Sequence, residues 1–560
     1  MSTEDAERTD SGVSPHAVAE FLAHGPVPTH LTDLLCRLVQ RDSSAVAVVD
    51  KDAHGRSIEV TRGELWLRTR ALAEDLRLRG IGEGDRVAVW LPNWSDSLAW
   101  QFAAAARGAL VIGINTRYNV DEVEHVLRRA RPKVVALAHD FHGLDLIARL
   151  RDAVSRSEVT PSVAVVAGPG ARTPDLTGYD VGAGAWTYGD TSNPPPLPAV
   201  AANPLVVAFT TSGSTGMPKL AAHRAAGVLS HAVADASAIG ISESDVVLCA
   251  LPLTGVFGYN TAMAGLAAGA LCVFEPVFDA DAVLDDMAAR SVTHVVGGDD
   301  LVLRLAETWR DTPRDLSAWR WWGVADFQGR SRELAAWARD EFGTSTSGVY
   351  GSSELFALTS LWPADEPPPV RWVGGGRVVH DGIEVRVADP ATGDTVELGR
   401  EGELQFRGPN VVDAYLGDDQ AMDRARTGDG WFRSGDLGTL VADGVFAYVC
   451  RMGDALRLRG FLVDPAEIET RLADHPAVHT AKVVGIPDTD GATIAIAFVV
   501  AVDGRSTDPR ELRGWCAEGL ARFKVPHTVH VVDAMPTTSG TNGTKIRAVT
   551  LREWASQRHR

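Results

Sequence analysis

Cysteine is scarce. Cys36, Cys249, Cys272, Cys450 and Cys516 are scattered through 560 residues with no C-x-x-C pair. That spacing argues against a disulfide framework and a thiolate metal site, and it fits a reducing cytoplasm. Long apolar runs are missing as well. The most apolar stretch, Leu98 to Ile114, is broken by Gln101 and Arg107, so it reads as a buried helix running into a strand. No integral membrane contact is expected. Positive charge is not in excess: the net charge of -19 excludes an ordinary nucleic-acid binder and favours solubility. The first residues are acidic and serine-rich without an apolar core, unlike a signal peptide. Lysine is confined to Lys51, Lys133, Lys219, Lys482, Lys524 and Lys545, while arginine is abundant. Where arginine is preferred, a retained lysine points to a place that needs a compact ammonium.

What is present is alternation. Residues 1 to about 25 have the composition of a disordered segment. From Leu31 onward, apolar strands alternate with amphipathic helices: strands near Ala45–Val49, Arg86–Leu91, Leu110–Ile114 and Lys133–Ala138, helices near Thr61–Arg79, Ser95–Arg107 and Val120–Arg129. Such βα alternation predicts a largely parallel sheet covered by helices. A proline-rich connector, Asn193 to Pro198, is followed by a second βα series from Val246 to about Phe342. Gly374 to Tyr448 turns β-rich, and a compact α+β region of about a hundred residues ends the chain. A chain of this length divides into two or more domains.

The densest chemical signal is Thr210-Thr211-Ser212-Gly213-Ser214-Thr215-Gly216-Met217-Pro218-Lys219. It follows the apolar run Leu205–Phe209 and precedes a helical pattern beginning near Arg224. A Gly/Ser/Thr loop of this kind turns backbone N–H groups and hydroxyls toward one point, and Lys219 adds a mobile positive charge. The spacing is not that of a Walker loop. A flexible linker would not sit directly on a buried strand and close with Pro-Lys, so the loop is read as a polyphosphate site.

Further stretches follow in order: Tyr350-Gly351-Ser352-Ser353-Glu354, then Gly430 to Gly438 containing Ser434-Gly435-Asp436, then Arg451 to Phe461 containing Gly460, then Arg522-Phe523-Lys524-Val525-Pro526, and Gly543-Thr544-Lys545-Ile546. Together these resemble the adenylate-forming superfamily of acyl-CoA synthetases, firefly luciferase and peptide-synthetase adenylation domains, from about Leu31 to Leu551. The resemblance implies an α/β fold: a large N-terminal domain of two βα-layered subdomains plus a small distorted β-barrel, over residues 26–450. A small mobile α+β domain, 451–560, would follow, with its hinge near Gly453. It also implies ATP and Mg²⁺ as cofactors and CoA as acceptor. Thr211, Ser212, Gly213, Ser214, Thr215, Gly216 and Lys219 would cradle the β- and γ-phosphates. Tyr350, Gly351, Ser352 and Ser353 would line the nucleotide site, and Glu354 would hold the metal. Asp436 would take the ribose hydroxyls with help from Arg451. Lys545 would reach the α-phosphate and the acid, and Gly460 would lie beside the pantetheine arm.

The departures from the family pattern bear on the acid. Gly255 stands where relatives often carry histidine, in Leu251-Pro252-Leu253-Thr254-Gly255-Val256-Phe257, so the pocket beside Gly255 and Phe257 is altered or opened. Asp299 and Asp300 open a helix, either as caps or as acidic groups facing an amine. Trp321-Trp322-Gly323-Val324-Ala325-Asp326 would wall the pocket near Ala325 and Asp326, or pack in the core. The leading expectation is an AMP-forming carboxylate–CoA ligase. Two alternatives stand beside it: a diazotase that adenylates nitrite and passes it to an arylamine in secondary metabolism, and a non-catalytic AMP-binding protein.

Overall fold

In the computed structural model, the residues described are 28–172, 183–186, 193–200, 202–211, 219–327, 329–452, 456–458, 461–463, 465–488, 493–520, 522, 524–540 and 543–559. The segment Ser212–Pro218, together with Gly453, Arg459 and Gly460, lies outside them.

Two sheets carry the large N-terminal part. In the first, strands Leu205–Thr210, Leu110–Gly113, Arg86–Trp90, Val134–Ala138, Ser162–Val166 and Ala183–Trp186 run parallel, in that spatial order. The apolar, β-branched runs of the first five are buried on both faces, as parallel strands covered by helices must be. The helix expected to begin near Arg224 is Ala225–Ile239, and Leu220–Arg224, between it and the Gly/Ser/Thr loop, pairs antiparallel with Leu205–Thr210. The two-residue strand Ala414–Tyr415 then adds to that edge.

In the second sheet, Ser345–Tyr350, Trp321–Ala325, His294–Gly298, Val246–Cys249, Leu271–Phe274 and Val46–Lys51 are parallel neighbours. Through Ser360–Leu361 this sheet continues into the antiparallel strands Gly375–Val378, Val445–Arg451, Phe432–Ala442, Glu401–Arg407 and Glu384–Ala388, the β-rich stretch expected from composition. The C-terminal part builds a separate sheet around the pair Val478–Pro487 and Thr493–Ala501, with its own apolar core. The architecture is thus a large α/β domain and a small α+β one.

Helix starts follow local chemistry. Thr61 with Glu64, and Asn119 with Glu122, form reciprocal capping boxes that satisfy the first orphan N–H groups. The tryptophans near residue 321 belong to the core. Trp322 is fully buried and lies 6.3 Å from Trp319, while the Trp321 ring covers Gly323 so closely that a Cβ there would stand 2.5 Å from it. No helix among the described residues is long and apolar enough to cross a membrane.

Candidate active site

Parallel strands deliver their C-terminal loops to one edge, where open α/β sheets bind ligands. Strand Leu205–Thr210 ends at Thr211, His294–Gly298 at Asp299, Trp321–Ala325 at Asp326, and Ser345–Tyr350 at Gly351. Of the phosphate loop, Ser212, Gly213, Ser214, Thr215 and Gly216 fall outside the described residues. Its two ends are pinned together, with Thr211 N donating to the Lys219 carbonyl at 2.9 Å. Below it, the Tyr118 and Thr210 hydroxyls are 2.6 Å apart.

Glu354 sits beside that loop. The Tyr415 hydroxyl donates to Glu354 Oε1 at 3.3 Å, and Lys219 Nζ lies 4.8 Å from the centre of the same tyrosine ring. Tyr415 therefore links Lys219 to Glu354. Burial, then the nearby Glu354 charge, pushes the Tyr415 hydroxyl up, so it stays a donor. Sequence reading missed Tyr415, because only the short strand Ala414–Tyr415, paired with Leu220–Arg224, carries it there.

The Glu354 segment is fixed from behind. Val412 N donates to the Glu354 carbonyl at 2.7 Å, Asn410 Nδ2 to the Leu355 carbonyl at 2.9 Å, and His223 Nε2 to the Ser353 carbonyl at 2.8 Å. Burial lowers the His223 pKa to about 4, so the ring is neutral and its one proton must sit on Nε2. Gly351 is required here: a Cβ would stand 2.4 Å from the Ala357 carbonyl carbon.

The ribose end is a closed network. Tyr350 OH donates to Asp436 Oδ2 at 2.7 Å and Arg451 donates to Asp436 Oδ1 at 2.8 Å. Arg451 also donates to the Ser434 carbonyl at 3.0 Å, and Ser434 Oγ accepts from Asp436 N at 3.0 Å. The Tyr350 ring lies 5.7 Å from Phe406 in a stacked arrangement. Burial and the adjacent Asp436 push the Tyr350 hydroxyl well up. The Asp436 partnership holds the guanidinium of Arg451 above its usual range against the opposing effect of burial. Each Asp436 oxygen keeps a lone pair able to accept from a ligand hydroxyl.

Lys545 lies on strand Gly543–Ile546, paired with Thr537–Gly540 so that Thr538 is its register partner. Strand Gly543–Ile546 runs beside the helix Asp299–Asp311. Lys524 instead pairs with Glu467.

On the acid side, Gly255 is the N-cap of the helix Val256–Ala268, with Phe257 buried in its first turn. Asp299 and Asp300 need correcting as caps: Gly298 holds the N-cap position and no side chain caps that helix. Fully buried, Asp299 accepts from the backbone N–H groups of Asp300 at 3.0 Å, Phe327 at 3.0 Å and Arg330 at 2.9 Å. It clamps the loop after Ala325. Exposed Asp326 faces it, and burial followed by the Asp326 charge raises the Asp299 pKa to about 7.

Magnesium is the hard cation this donor set suits. Among the described residues no cluster of three or more His, Cys, Asp or Glu could hold a metal alone. Mg²⁺ characteristically takes one or two carboxylates and completes its shell with phosphate oxygens and water, and Glu354 beside the phosphate loop fits that habit.

Comparison with known proteins agrees with this geometry. The family model described as AMP-binding enzyme matches residues 37–416, and AMP-binding enzyme C-terminal domain matches 467–541. The chain is 31% identical over 522 residues to a 3-[(3aS,4S,7aS)-7a-methyl-1,5-dioxo-octahydro-1H-inden-4-yl]propanoyl:CoA ligase of Rhodococcus jostii, covering 91% of this chain and 96% of that protein. It superposes on ATP-bound MatB from Rhodopseudomonas palustris with a TM-score of 0.79 at 26% identity, over 94% of this chain and 99% of the other. It superposes on the amide bond synthetase McbA from Marinactinospora thermotolerans with a TM-score of 0.77 at 28% identity, over 93% and 99% of the two chains. This chain belongs to the AMP-binding enzyme family and is an adenylate-forming ligase of the acyl-CoA synthetase type.

Proposed function

We propose that the protein couples a carboxylic acid to CoA through an acyl adenylate. A carboxylate oxygen attacks the α-phosphorus of ATP, the bond to the leaving pyrophosphate breaks, and the CoA thiol then displaces AMP from the acyl carbon. The observation that carries this reading is the pair of anchored sites at one edge: Lys219–Tyr415–Glu354 for the phosphates, and Tyr350–Asp436–Arg451 for the ribose. When bound, the metal would neutralise phosphate charge at Glu354. Lys219 would bind the phosphates through its ammonium, and Tyr415 orients Glu354. Asp436 would fix the ribose, its own position set by Tyr350 and Arg451. Lys545 would hold the developing charge as acid and phosphate meet. Rotation near Gly453 and passage of the pantetheine arm at Gly460 belong to the same reading.

CoA is the acceptor named for the Rhodococcus relative, whereas an amide is the product named for McbA. The nitrite alternative leaned on two features, the missing histidine at Gly255 and the Asp299–Asp300 pair. The backbone bonds accepted by Asp299 account for its carboxylate without an amine. Pyrophosphate release with Mg-ATP across fatty, aryl and amino-aryl acids and nitrite, followed by mass spectrometry, tests the reading. A carboxylate-dependent signal with a CoA thioester supports it. A nitrite-dependent signal that consumes an arylamine without CoA contradicts it.

A further inference from the structure

The strands Glu401–Arg407 and Phe432–Ala442 fall out of step where they reach Asp436. Gln405 is paired with Arg433 and Glu403 with Leu437, so Leu404 alone stands opposite Ser434, Gly435 and Asp436. The surplus residues form a bulge, a device that re-aims a side chain beside a site. Gly435 has a φ of 71°, in the left-handed region that glycine tolerates. Side chains there take the place of ladder bonds. Ser434 Oγ donates to the Leu404 carbonyl at 2.5 Å, and Gly435 N donates to Glu403 Oε1 at 3.3 Å. The Gly435 carbonyl accepts from Met452 N at 2.9 Å, directly after Arg451, which is the register partner of Asp436.

Glu403 is a buried carboxylate to which the reaction above gives no part. Its Oε2 accepts from Gln405 Nε2 at 2.8 Å and from Arg433 Nη1 at 3.4 Å. Gln405 is fully buried and its own oxygen accepts from Arg386 Nε at 2.9 Å, so its amide nitrogen faces Glu403. Arg386 is tied to Asp429 and lies 4.6 Å from the centre of the Trp431 ring. This chain of partners locks Glu403 as an acceptor and aims Oε1 at Gly435. Tyr350 and Arg451 grip the Asp436 oxygens, but the bulge sets where its backbone lies. A ligand bond tolerates only about 0.5 Å of displacement, so a relaxed bulge costs ligand bonds before it costs the fold.

We infer that Glu403 is a positioning residue for the nucleotide: by holding Gly435 it keeps the Asp436 carboxylate where the ribose hydroxyls bind. The inference rests on the assignment of Asp436 to the ribose under the proposed function. Glu403 acts through the Gly435–Asp436 backbone and not on the ligand itself. Its removal therefore has a signature that general loosening lacks. The loss falls on the bonds made by the ribose hydroxyls and spares the rest of the nucleotide.

The test measures the Kd of Mg-ATP and of its 2′-deoxy and 3′-deoxy analogues by titration calorimetry, which needs neither the acid nor CoA. Wild-type protein is expected to bind ATP about tenfold or more tightly than the weaker analogue, which lacks a hydroxyl bonded to a carboxylate. Asp436→Ala gives the ratio without that carboxylate. Glu403→Ala should bring the ratio down to the same level, within about threefold of equal binding. Glu403→Gln has the same size but offers one oxygen to the donors of Gln405, Arg433 and Gly435, so its ratio should fall between wild type and alanine. A purely structural role would weaken all three nucleotides by one factor and leave the ratio unchanged. A wild-type ratio in Glu403→Ala overturns the inference. So does a wild-type ratio in Glu403→Gln, which decides the matter if the alanine variant does not fold. Equal binding of the three nucleotides by wild-type protein, or an unchanged ratio in Asp436→Ala, would contradict the ribose assignment itself and the inference with it.

Discussion

Two polar networks of this molecule, Tyr350–Asp436–Arg451 at the candidate nucleotide site and the Asp235–Asn260 pair between helices Ala225–Ile239 and Val256–Ala268, differ in completeness. At the ribose end, Asp436 already accepts from Tyr350 and Arg451, and Arg451 is further tied to the Ser434 carbonyl. Between the two helices, Asp235 and Asn260 hold each other but leave an oxygen each unpaired. The first is preorganised for a ligand common to the family, and its neighbours fix the geometry before ATP arrives. The second is left incomplete by the chain's own groups.

The comparison can be broken most severely through charge. Lys545→Ala should lower adenylate formation by about two orders of magnitude or more with the melting temperature unchanged, because the developing charge loses its ammonium. Near-normal pyrophosphate release would remove Lys545 from the site. Asp436→Ala should raise KM for ATP by about a hundredfold and also lower thermal stability, since it leaves the half-buried Arg451 without its carboxylate. An unchanged KM would mean the network is structural only. Tyr415→Phe removes one hydrogen bond to Glu354 and should raise the Mg²⁺ requirement by about threefold to tenfold at unchanged acid KM, read by magnesium titration.

The smallest effect concerns the loop clamp. Because the Asp299 pKa is raised in the folded state, its contribution to stability is full below the unfolded value and is lost as pH rises through about 7. Asp326→Asn removes the facing charge, so thermal melts should fall less between pH 5 and pH 8 than in wild type. An identical pH dependence would show that Asp326 does not act on Asp299.

Much of the candidate nucleotide site is legible in the sequence because its parts are contiguous. Tyr350 to Glu354 and Ser434 to Asp436 each end or interrupt a strand, so local order alone brings their groups together. Arg451 needed one further step, antiparallel pairing that sets it opposite Asp436. Tyr415 was invisible, since its role depends on a two-residue strand docking on a distant edge. The Asp235–Asn260 layer was hidden for a related reason: both residues look like ordinary polar positions on apolar helices until the helices are packed. Asp299 was legible only as an acid at a helix start, because its partners Phe327 and Arg330 come from another strand's loop. The tryptophans at 321 and 322 could be read as wall or core, and burial settles them as core.

The most direct measurement is the mass spectrum of the ligand retained by the protein after incubation with Mg-ATP and the acid panel, with CoA omitted. The account predicts an acyl-AMP, and its replacement by AMP and a thioester once CoA is added. Retention of unreacted ATP across all the acids, or an adenylate formed only from nitrite, would contradict it.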